Sequence, residues 1–416
     1  MNTTGRTRRI AVVGAGMVGL STAWFLQERG VDVTVLERKD VAAGSSWGNA
    51  GWLTPGISTP LPEPAVLKYG LRAVLSPSSP VYVPPTANPR LIRFLASFAR
   101  HSTASRWNKA MDALVPMNRT ALPAFDALAD GGVRVTTRAA DDFLAAYRTE
   151  TDREVLLEEL RHIEAAGQDI GFELIDGDRA RQISPALSDE VRCAIRLEGQ
   201  RFIDPGAFVD SLAASFRERG GRIREGVRVD DVAPDADGVV VTGTDGTERF
   251  DDVVLATGAW ISRHAREFGV RVPVQAGRGY SFSVPIDDLP DSPVYFPAQR
   301  VACTPLGDRL RVAGMMEFRD PDAALDERRV AAIVDAARPL LRGVDLDDRK
   351  DEWVGSRPCT PDGLPVIGTT FAPRVHVAGG HGMWGITLGP ATGRLLAEAI
   401  VTGRTPSELA PFDPVR

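Results

Sequence analysis

The amino end of the sequence carries a strand, turn and helix signature that constrains the fold more than any other feature. Residues 10–13 (Ile-Ala-Val-Val) form a short apolar run rich in β-branched residues, which is typical of a buried parallel strand. Gly14, Gly16 and Gly19 follow with G-x-G-x-x-G spacing. In such a turn the first glycine permits the bend, the second lets backbone approach a pyrophosphate, and the third lets helix and strand pack closely.

The residues after these glycines complete a βαβ unit. Apolar residues recur at helical spacing from Leu20, and this pattern ends near Gly30. A second, mostly apolar strand over 31–36 delivers Glu37, where a carboxylate can accept hydrogen bonds from ribose hydroxyls and disfavours a 2′-phosphate. The unit therefore predicts a bound dinucleotide, and the alternative is a purely structural βαβ unit.

Length and charge restrict the class of protein. The chain has 416 residues, which exceeds the size at which a single core stops growing, so two domains are expected. It carries 49 basic and 55 acidic residues, a formal net charge of −6, and this balance argues against nucleic acid as a partner.

The cysteines and the first residues of the sequence predict the cellular compartment of the protein. Cys193, Cys303 and Cys359 are far apart and odd in number, so they predict neither a metal site nor a disulfide framework. The apolar run that begins at Ile10 is broken by Gly14, which is typical of neither a secretion signal nor a membrane span. We therefore expect a cytoplasmic protein, with at most peripheral contact to the inner membrane.

The rest of the chain alternates between helical and strand patterns. A glycine-rich loop close to a ligand, or an ordinary surface turn, is predicted at 44–52, before a segment rich in Pro and Ser at 55–90. An apolar strand at 252–255 is followed by Ala-Thr-Gly, where the backbone is expected to approach the cofactor closely for a second time. Helices are predicted at 90–128, 153–166, 204–219 (with Asp204 as N-cap and Pro205 at the first helical position), 326–341 and 387–402, and further strands at 227–229, 239–242, 248–250, 280–284 and 310–314.

This order predicts an α/β protein whose nucleotide domain is discontinuous. The carboxyl end returns to a strand, a glycine turn and a helix at 375–402, so segments between the nucleotide-domain strands must build the second domain. We assign 1–58, 196–272 and 350–416 to the nucleotide domain, and 59–195 and 273–349 to the second domain.

With these residues in view, the chain resembles the D-amino acid oxidase superfamily of FAD-dependent oxidoreductases, and most of all the bacterial D-amino acid dehydrogenases of the small-subunit type. The motifs span the chain in the family's order. They are VGAGMVG at 13–19, SWGNAG at 46–51, RGYS at 278–281, LRVAGM at 310–315, GSRPCTPDG at 355–363 and GGHG at 379–382.

The resemblance implies FAD, a Rossmann-type FAD-binding domain, and a smaller α+β substrate domain with a mixed antiparallel sheet. It also implies oxidation of a D-amino acid to a 2-oxo acid and ammonia, by hydride transfer from the α-carbon to flavin N5. Two alternatives remain open: oxidation of glycine, sarcosine, D-proline or hydroxyproline, and a non-catalytic FAD-stabilised subunit of an assembly. Electrons would pass on to a quinone or to oxygen.

The same resemblance assigns the site residues. Arg357 matches the family's carboxylate-binding arginine. Tyr280 could donate a second hydrogen bond to the same carboxylate, or it could be an ordinary core tyrosine. His381 lies between glycines at a strand end and is a third candidate, with a purely structural role as the alternative. Peptide amides at the start of the helix after His381 would stabilise a reduced flavin. The cofactor-binding residues expected are Gly14, Gly16, Gly19, Glu37, Arg38, Ser45, Ser46, Asn49, Ala50, Gly51, Val229, Thr257, Gly258, Gly380, Gly382, Gly385 and Thr387.

Some positions depart from the family pattern. Trp47, Trp52 and the pair Met383-Trp384 are bulkier than expected beside a flavin, which leaves the substrate side chain undetermined. Gly355 stands where related sarcosine oxidases carry their flavin-linking cysteine, so we expect FAD to be bound without a covalent link.

Overall fold

A computed structural model of the protein describes residues 7–64 and 79–416. The helices in chain order are α1 (Met17–Glu28), α2 (Pro89–His101), α3 (Ala104–Asp130), α4 (Glu150–Ala165), α5 (Gly177–Ile183), α6 (Pro205–Glu218), α7 (Ser262–Ala265), α8 (Glu327–Ala337) and α9 (Gly385–Thr402). Short 3-10 turns lie at Pro55–Ile57, Gly258–Trp260, Arg266–Phe268, Arg338–Leu340, Gly382–Trp384 and Ser407–Phe412.

The strands follow the same numbering. They are β1 (Arg9–Val13), β2 (Asp32–Leu36), β3 (Trp52–Leu53), β4 (Val81–Tyr82), β5 (Arg138–Ala139), β6 (Phe143–Tyr147), β7 (Phe172–Asp176), β8 (Cys193–Leu197), β9 (Arg201–Phe202), β10 (Arg222–Arg224), β11 (Val229–Pro234), β12 (Val239–Gly243), β13 (Gly246–Phe250), β14 (Asp252–Leu255), β15 (Gln275–Val284), β16 (Val294–Phe296), β17 (Val301–Leu306), β18 (Arg309–Phe318), β19 (Lys350–Cys359), β20 (Val366–Thr369) and β21 (Val375–Gly379).

A parallel sheet of Rossmann type forms the nucleotide domain. Its order is β10-β2-β1-β14-β21-β20, and only the pairing of β20 with β21 is antiparallel. One face packs on α1, α3, α6 and α9, and the other packs on the small antiparallel sheet β11-β12-β13. Both faces of β1 are therefore buried, which explains its uninterrupted apolar sequence.

A larger mixed sheet forms the second domain. Its order is β19-β15-β18-β17-β16-β6-β8-β7, and β4 adds to β18. Neighbours run antiparallel except for the β16–β6 and β18–β4 pairs, which are parallel. The predicted fold class, an α/β nucleotide domain joined to a mixed-sheet domain, is confirmed.

Most predicted elements are present, with shifted bounds. Asp204 caps α6 as predicted, because its carboxylate accepts a hydrogen bond from Ala207 N at 3.0 Å. The helical pattern predicted over 90–128 corresponds to two helices, because the chain turns at Ser102, whose hydroxyl donates back to Phe98 O at 3.0 Å. Part of the Pro- and Ser-rich segment at 55–90 lies outside the described residues.

The strand β19 changes the expected domain division. Residues 350–416 were assigned to the nucleotide domain, yet β19 pairs along its length with β15 in the large mixed sheet. Strand β19 therefore extends the substrate-domain sheet, and the chain re-enters the Rossmann sheet only at β20. The other domain boundaries remain predictions. Within 7–64 and 79–416, no helix has the length and apolar character needed to cross a bilayer.

Candidate active site

The glycine turn after β1 is held tightly against the next parallel strand. Gly14 has a φ of +112°, its N–H donates to Leu36 O at 2.8 Å, and a Cβ at Gly14 would lie 2.5 Å from Ala256 O. A Cβ at Gly19 would overlap the Gly14 carbonyl oxygen, so α1 packs directly on the turn. Only glycine satisfies both positions, which brings the amino end of α1 to the carboxyl ends of β1 and β14.

Glu37 and Ser46 are fixed by backbone amides beside this turn. The Glu37 carboxylate accepts hydrogen bonds from Ala15 N at 2.8 Å and Lys39 N at 3.0 Å. The Ser46 hydroxyl accepts from Met17 N at 3.1 Å and so caps the first turn of α1. Both side chains are thus positioned at a helix amino end, where anionic groups of a ligand are favoured.

A groove of about 750 Å³ runs along this edge of the parallel sheet. The predicted cofactor residues that line it are Gly14, Gly16, Glu37, Arg38, Ser45, Ser46, Asn49, Val229, Thr257, Gly258, Gly382 and Gly385. The predicted Ala50 and Thr387 instead line a neighbouring cavity. The predicted Gly19, Gly51 and Gly380 do not line the groove, and Gly51 and Gly380 adopt positive φ in tight turns.

Unsatisfied polar atoms beside the groove fit a dinucleotide. The Thr257 hydroxyl is buried and, among the described residues, has no hydrogen-bond partner. Arg278 lines the same groove with its side chain 1% exposed. Within 7–64 and 79–416 its Nε and Nη1 have no hydrogen-bond partner, although Nη1 lies 3.8 Å from the Glu317 carboxylate. Buried donors of this kind are costly unless a ligand satisfies them, so the groove fits the polar groups of FAD.

Four residues join the two domains across the groove, and the sequence analysis missed three of them. Asp322 accepts hydrogen bonds from Trp260 Nε1 at 3.0 Å and from Arg263 Nη2 at 2.6 Å. The Arg38 guanidinium stacks over the Trp260 ring at 3.8 Å from its centroid. Of these residues only Arg38 was predicted from sequence, and no spacing in the sequence links Asp322 to the other three.

A second cavity of about 420 Å³ adjoins the groove, and most of its wall is apolar or aromatic. Asn49, Arg357 and Met383 line both spaces, so the two meet at these residues. The bulky residues noted in the sequence contribute to the smaller cavity, since Trp52, Met383 and Trp384 all line it. The wall also includes Leu61, Val81, Leu95, Phe98, Met316 and Phe318.

Arg357 lies where the two cavities meet. It stands on β19 opposite Gly277, and its side chain crosses Gly279, where any Cβ would overlap the guanidinium. Its Nη1 donates to Met315 O at 2.7 Å. In the described part of the chain no carboxylate lies within 4.0 Å of it. Burial lowers its pKa from the ordinary arginine value, yet guanidinium stays protonated in proteins, so a buried cation awaits an anion.

Tyr280 lines the smaller cavity, but its side chain packs in the buried core of the large sheet. The hydroxyl donates to the buried Glu317 carboxylate at 2.7 Å, and Arg278 lies 3.8 Å from the same carboxylate. Burial and this hydrogen bond raise the Tyr280 pKa above its usual range. The hydroxyl has one hydrogen, so donation to a substrate carboxylate would require the bond to Glu317 to break.

His381 lines the groove but is fixed by α9. Its Nε2 lies 2.8 Å from the Thr392 hydroxyl, and its side chain is buried. Burial lowers its pKa to about 4. The imidazole is therefore neutral at physiological pH and ties the turn at Gly382 to the helix that follows.

We expect His381 to make stability depend on acid pH. Its folded-state pKa lies below the unfolded value, so the unfolded chain binds more protons as pH falls from about 6.5 to 4 and stability drops by up to roughly 1.4 kcal/mol per pH unit. The variant His381→Gln should lose this dependence in urea unfolding between pH 4 and 7. Equal pH slopes for both proteins would contradict the assignment.

The three cysteines are free thiols in the core. Burial raises the pKa of Cys359 to about 12, and this residue packs in a cluster with Phe94 and Met316 rather than along the groove. The position of Gly355 is filled by the Trp353 ring, which any Cβ there would overlap. These facts agree with the expectation of a flavin held without a covalent bond.

The comparisons with known proteins agree with this geometry. The D-amino acid dehydrogenase of Methylobacterium sp. (strain 4-46) is 33% identical over 413 residues, which cover 96% of this chain and 96% of the relative. That of Cereibacter sphaeroides (strain ATCC 17029 / ATH 2.4.9) is 32% identical over 413 residues, covering 96% and 92%. The structure of glycine oxidase from Geobacillus kaustophilus matches the fold with a TM-score of 0.74 at 23% identity, covering 99% of each chain.

The family match has the widest reach. Residues 9–399 match the family described as DAO, FAD dependent oxidoreductase, and this range contains the glycine turn, the groove and Arg357. FAD is therefore the cofactor for which the groove is built. The chain belongs to the DAO family of FAD-dependent oxidoreductases.

Proposed function

We propose that the protein oxidises a D-amino acid, with Arg357 binding the substrate carboxylate at the edge of the flavin site. The single observation that carries this proposal is the position of Arg357, a half-buried cation shared by the cofactor groove and the apolar cavity. The two D-amino acid dehydrogenases at 32–33% identity support the same substrate class. The products are a 2-oxo acid and ammonia, after water hydrolyses the imine.

The guanidinium of Arg357 suits this task. One of its nitrogens is held by Met315 O, and the remaining N–H donors are free to form a forked pair with a carboxylate. Such a pair fixes orientation as well as charge, which a lysine ammonium would not do equivalently. The substrate α-carbon is then held where the two cavities join.

Bound FAD supplies the hydride acceptor, N5 of its isoalloxazine ring. The chain contributes the turn at Gly382–Trp384 and the amino end of α9, which line the groove through Gly382 and Gly385. The partial positive charge at this helix end favours negative charge on a neighbouring group. An amine that arrives neutral needs no dedicated base, and neutral His381 is consistent with that.

The smaller cavity favours D-amino acids with sizeable side chains over glycine or sarcosine. A volume of about 420 Å³ with a mainly apolar wall exceeds the needs of a hydrogen or methyl side chain. Burial of a larger apolar group there gains about 25 cal/mol per Å². Glycine, sarcosine, D-proline and hydroxyproline therefore remain the second candidate substrates.

Anaerobic flavin reduction tests the proposal. We expect the yellow holoprotein to bleach on addition of one or more D-amino acids, whereas the L-enantiomers leave the flavin spectrum unchanged. If only glycine or sarcosine bleached the flavin, the second group of candidate substrates would be supported instead. A holoprotein that no amine bleaches would favour the non-catalytic subunit. Reoxidation of the bleached protein with oxygen or a soluble quinone then identifies the electron acceptor class.

A further inference from the structure

A group of charged side chains, which we call the far end, lines the smaller cavity away from β19, the strand that carries Arg357. Glu63 and Arg300 line the cavity together with Tyr295. Behind them Glu159, on α4, accepts a hydrogen bond from the Thr59 hydroxyl at 3.3 Å. Two carboxylates thus share the surroundings of one guanidinium. No spacing in the sequence relates these residues, which come from separate segments.

Sheet topology separates this group from Arg357. Arg300 immediately precedes β17, and β15 and β18 lie between β17 and β19, the strand that carries Arg357. Three strand spacings of about 4.8 Å place the two backbones on the order of 14 Å apart. The Arg357 side chain crosses β15 at Gly279 and reaches Met315 O on β18, so its guanidinium lies closer to Arg300 than its backbone does. A ligand that contacted both Arg357 and Glu63 would extend along the cavity that both residues line.

The charges at this far end face one another without forming ion pairs. Among residues 7–64 and 79–416, no acid–base pair within 4.0 Å involves Glu63, Glu159 or Arg300. Arg300 is exposed to solvent and lines the cavity. Among the described residues Glu63 has no cation within 4.0 Å, and the cavity that it lines can admit one.

Protonation neutralises the Glu63 carboxylate when no ligand is bound. Burial, reinforced by the Glu159 carboxylate, raises the pKa of Glu63 to about 8 against the opposing effect of Arg300. Burial also raises the pKa of Glu159, opposed by Arg300, Thr59 and His162. The facing Tyr295 and Tyr147 have raised pKa values and stay neutral. At neutral pH Glu63 is therefore protonated and uncharged when no cation lies beside it.

We propose that the cavity selects an amino acid whose long side chain ends in a cation, with Arg357 holding the carboxylate and Glu63 receiving the cationic group. This inference rests on the proposed amino acid oxidation. The apolar wall between the ends suits the methylene stem of such a side chain, which packs on apolar surface while its head finds a charge. Repulsion from the like charge of Arg300 directs the cation toward Glu63.

D-lysine and D-norleucine make the matched test, because they differ in the terminal ammonium and have similar length. We expect Glu63→Gln to lower kcat/KM for D-lysine about 10- to 100-fold more than for D-norleucine, as loss of a hydrogen bond to a charged group predicts. Rates are read from anaerobic flavin bleaching of the holoprotein. Glu158→Gln, at an exposed neighbouring position on α4, serves as the matched control and should leave the ratio of the two substrates unchanged.

The pH dependence provides a second readout that needs no variant. The preference of the natural protein for D-lysine over D-norleucine should rise as pH increases through about 8, because Glu63 then ionises while the lysine ammonium stays charged. Titration of the α-amine is common to both substrates and cancels in their ratio. In Glu63→Gln the ratio should be flat.

The outcomes separate this inference from the proposed function. If no D-amino acid bleaches the flavin, the proposed function fails. If D-norleucine is oxidised but D-lysine is not preferred at pH 9, the inference fails and the function stands. A preference for D-glutamate over D-lysine would mean that Arg300, rather than Glu63, receives the side chain. Should Glu63→Gln not retain FAD, the pH dependence of the natural protein decides.

Discussion

Replacing Arg357 with alanine should reduce kcat/KM for a D-amino acid by ~100-fold or more, which corresponds to on the order of 3–5 kcal/mol for loss of a buried charge partner. The reason is that, among the residues that the structure describes, Arg357 is the one cation that lines both cavities. Flavin content should be preserved, because the glycine turn and α9 are untouched. Anaerobic bleaching kinetics with visible absorbance of the bound flavin measure both quantities.

Two further variants make this test specific. Arg357→Lys keeps the positive charge but not the planar fork, so it should recover only part of the lost rate. Arg349→Ala removes an exposed arginine just before β19 that pairs with Glu352 at 2.9 Å, and it should leave turnover unchanged. If Arg357→Ala turned over at the natural rate, the carboxylate assignment would be wrong and the non-catalytic subunit would become the better hypothesis.

The nucleotide domain could be predicted from sequence because its signals are local. The apolar run before Gly14, the glycine spacing and the acid at Glu37 all lie within one βαβ unit, and each has a physical reason for its position. The capping of α6 by Asp204 was predictable for the same reason. Short-range chemistry of this kind does not depend on how distant segments pair.

The far side of the active site could not be predicted in this way. Glu63, Glu159 and Arg300 become neighbours only because a loop, α4 and the turn before β17 converge around one cavity. The sheet to which β19 belongs is a second example. The motif on β19 was read as part of the cofactor domain, whereas hydrogen bonding to β15 places it in the other sheet.

The position of Tyr280 shows how a correct motif can leave a role open. The sequence predicted that Tyr280 lies beside the substrate, and the residue does line the smaller cavity. Its hydroxyl, however, donates to Glu317, a residue on the adjacent strand β18. The motif thus predicted location, while the long-range partner determines what the polar atom can do.

Replacing Gly14 with alanine should empty the cofactor groove. The residue has a φ of +112°, which L residues rarely adopt, and a Cβ would lie 2.5 Å from the backbone oxygen of Ala256. Backbone strain and overpacking together should cost on the order of 2–5 kcal/mol. Since the obstacle is a neighbouring strand, relief requires β1 and β14 to separate, which displaces the amino end of α1. Purified protein should show little flavin absorbance and a lower thermal midpoint.

Gly30→Ala separates the two contributions within the same βαβ unit. Gly30 also has a positive φ of +77°, but nothing lies within 4 Å of the position that its Cβ would occupy. Its replacement should therefore cost only the backbone strain, about 1–2 kcal/mol, and keep the flavin in place. If Gly14→Ala purified with as much FAD as Gly30→Ala, close approach of the turn to Ala256 could not be what shapes the cofactor site.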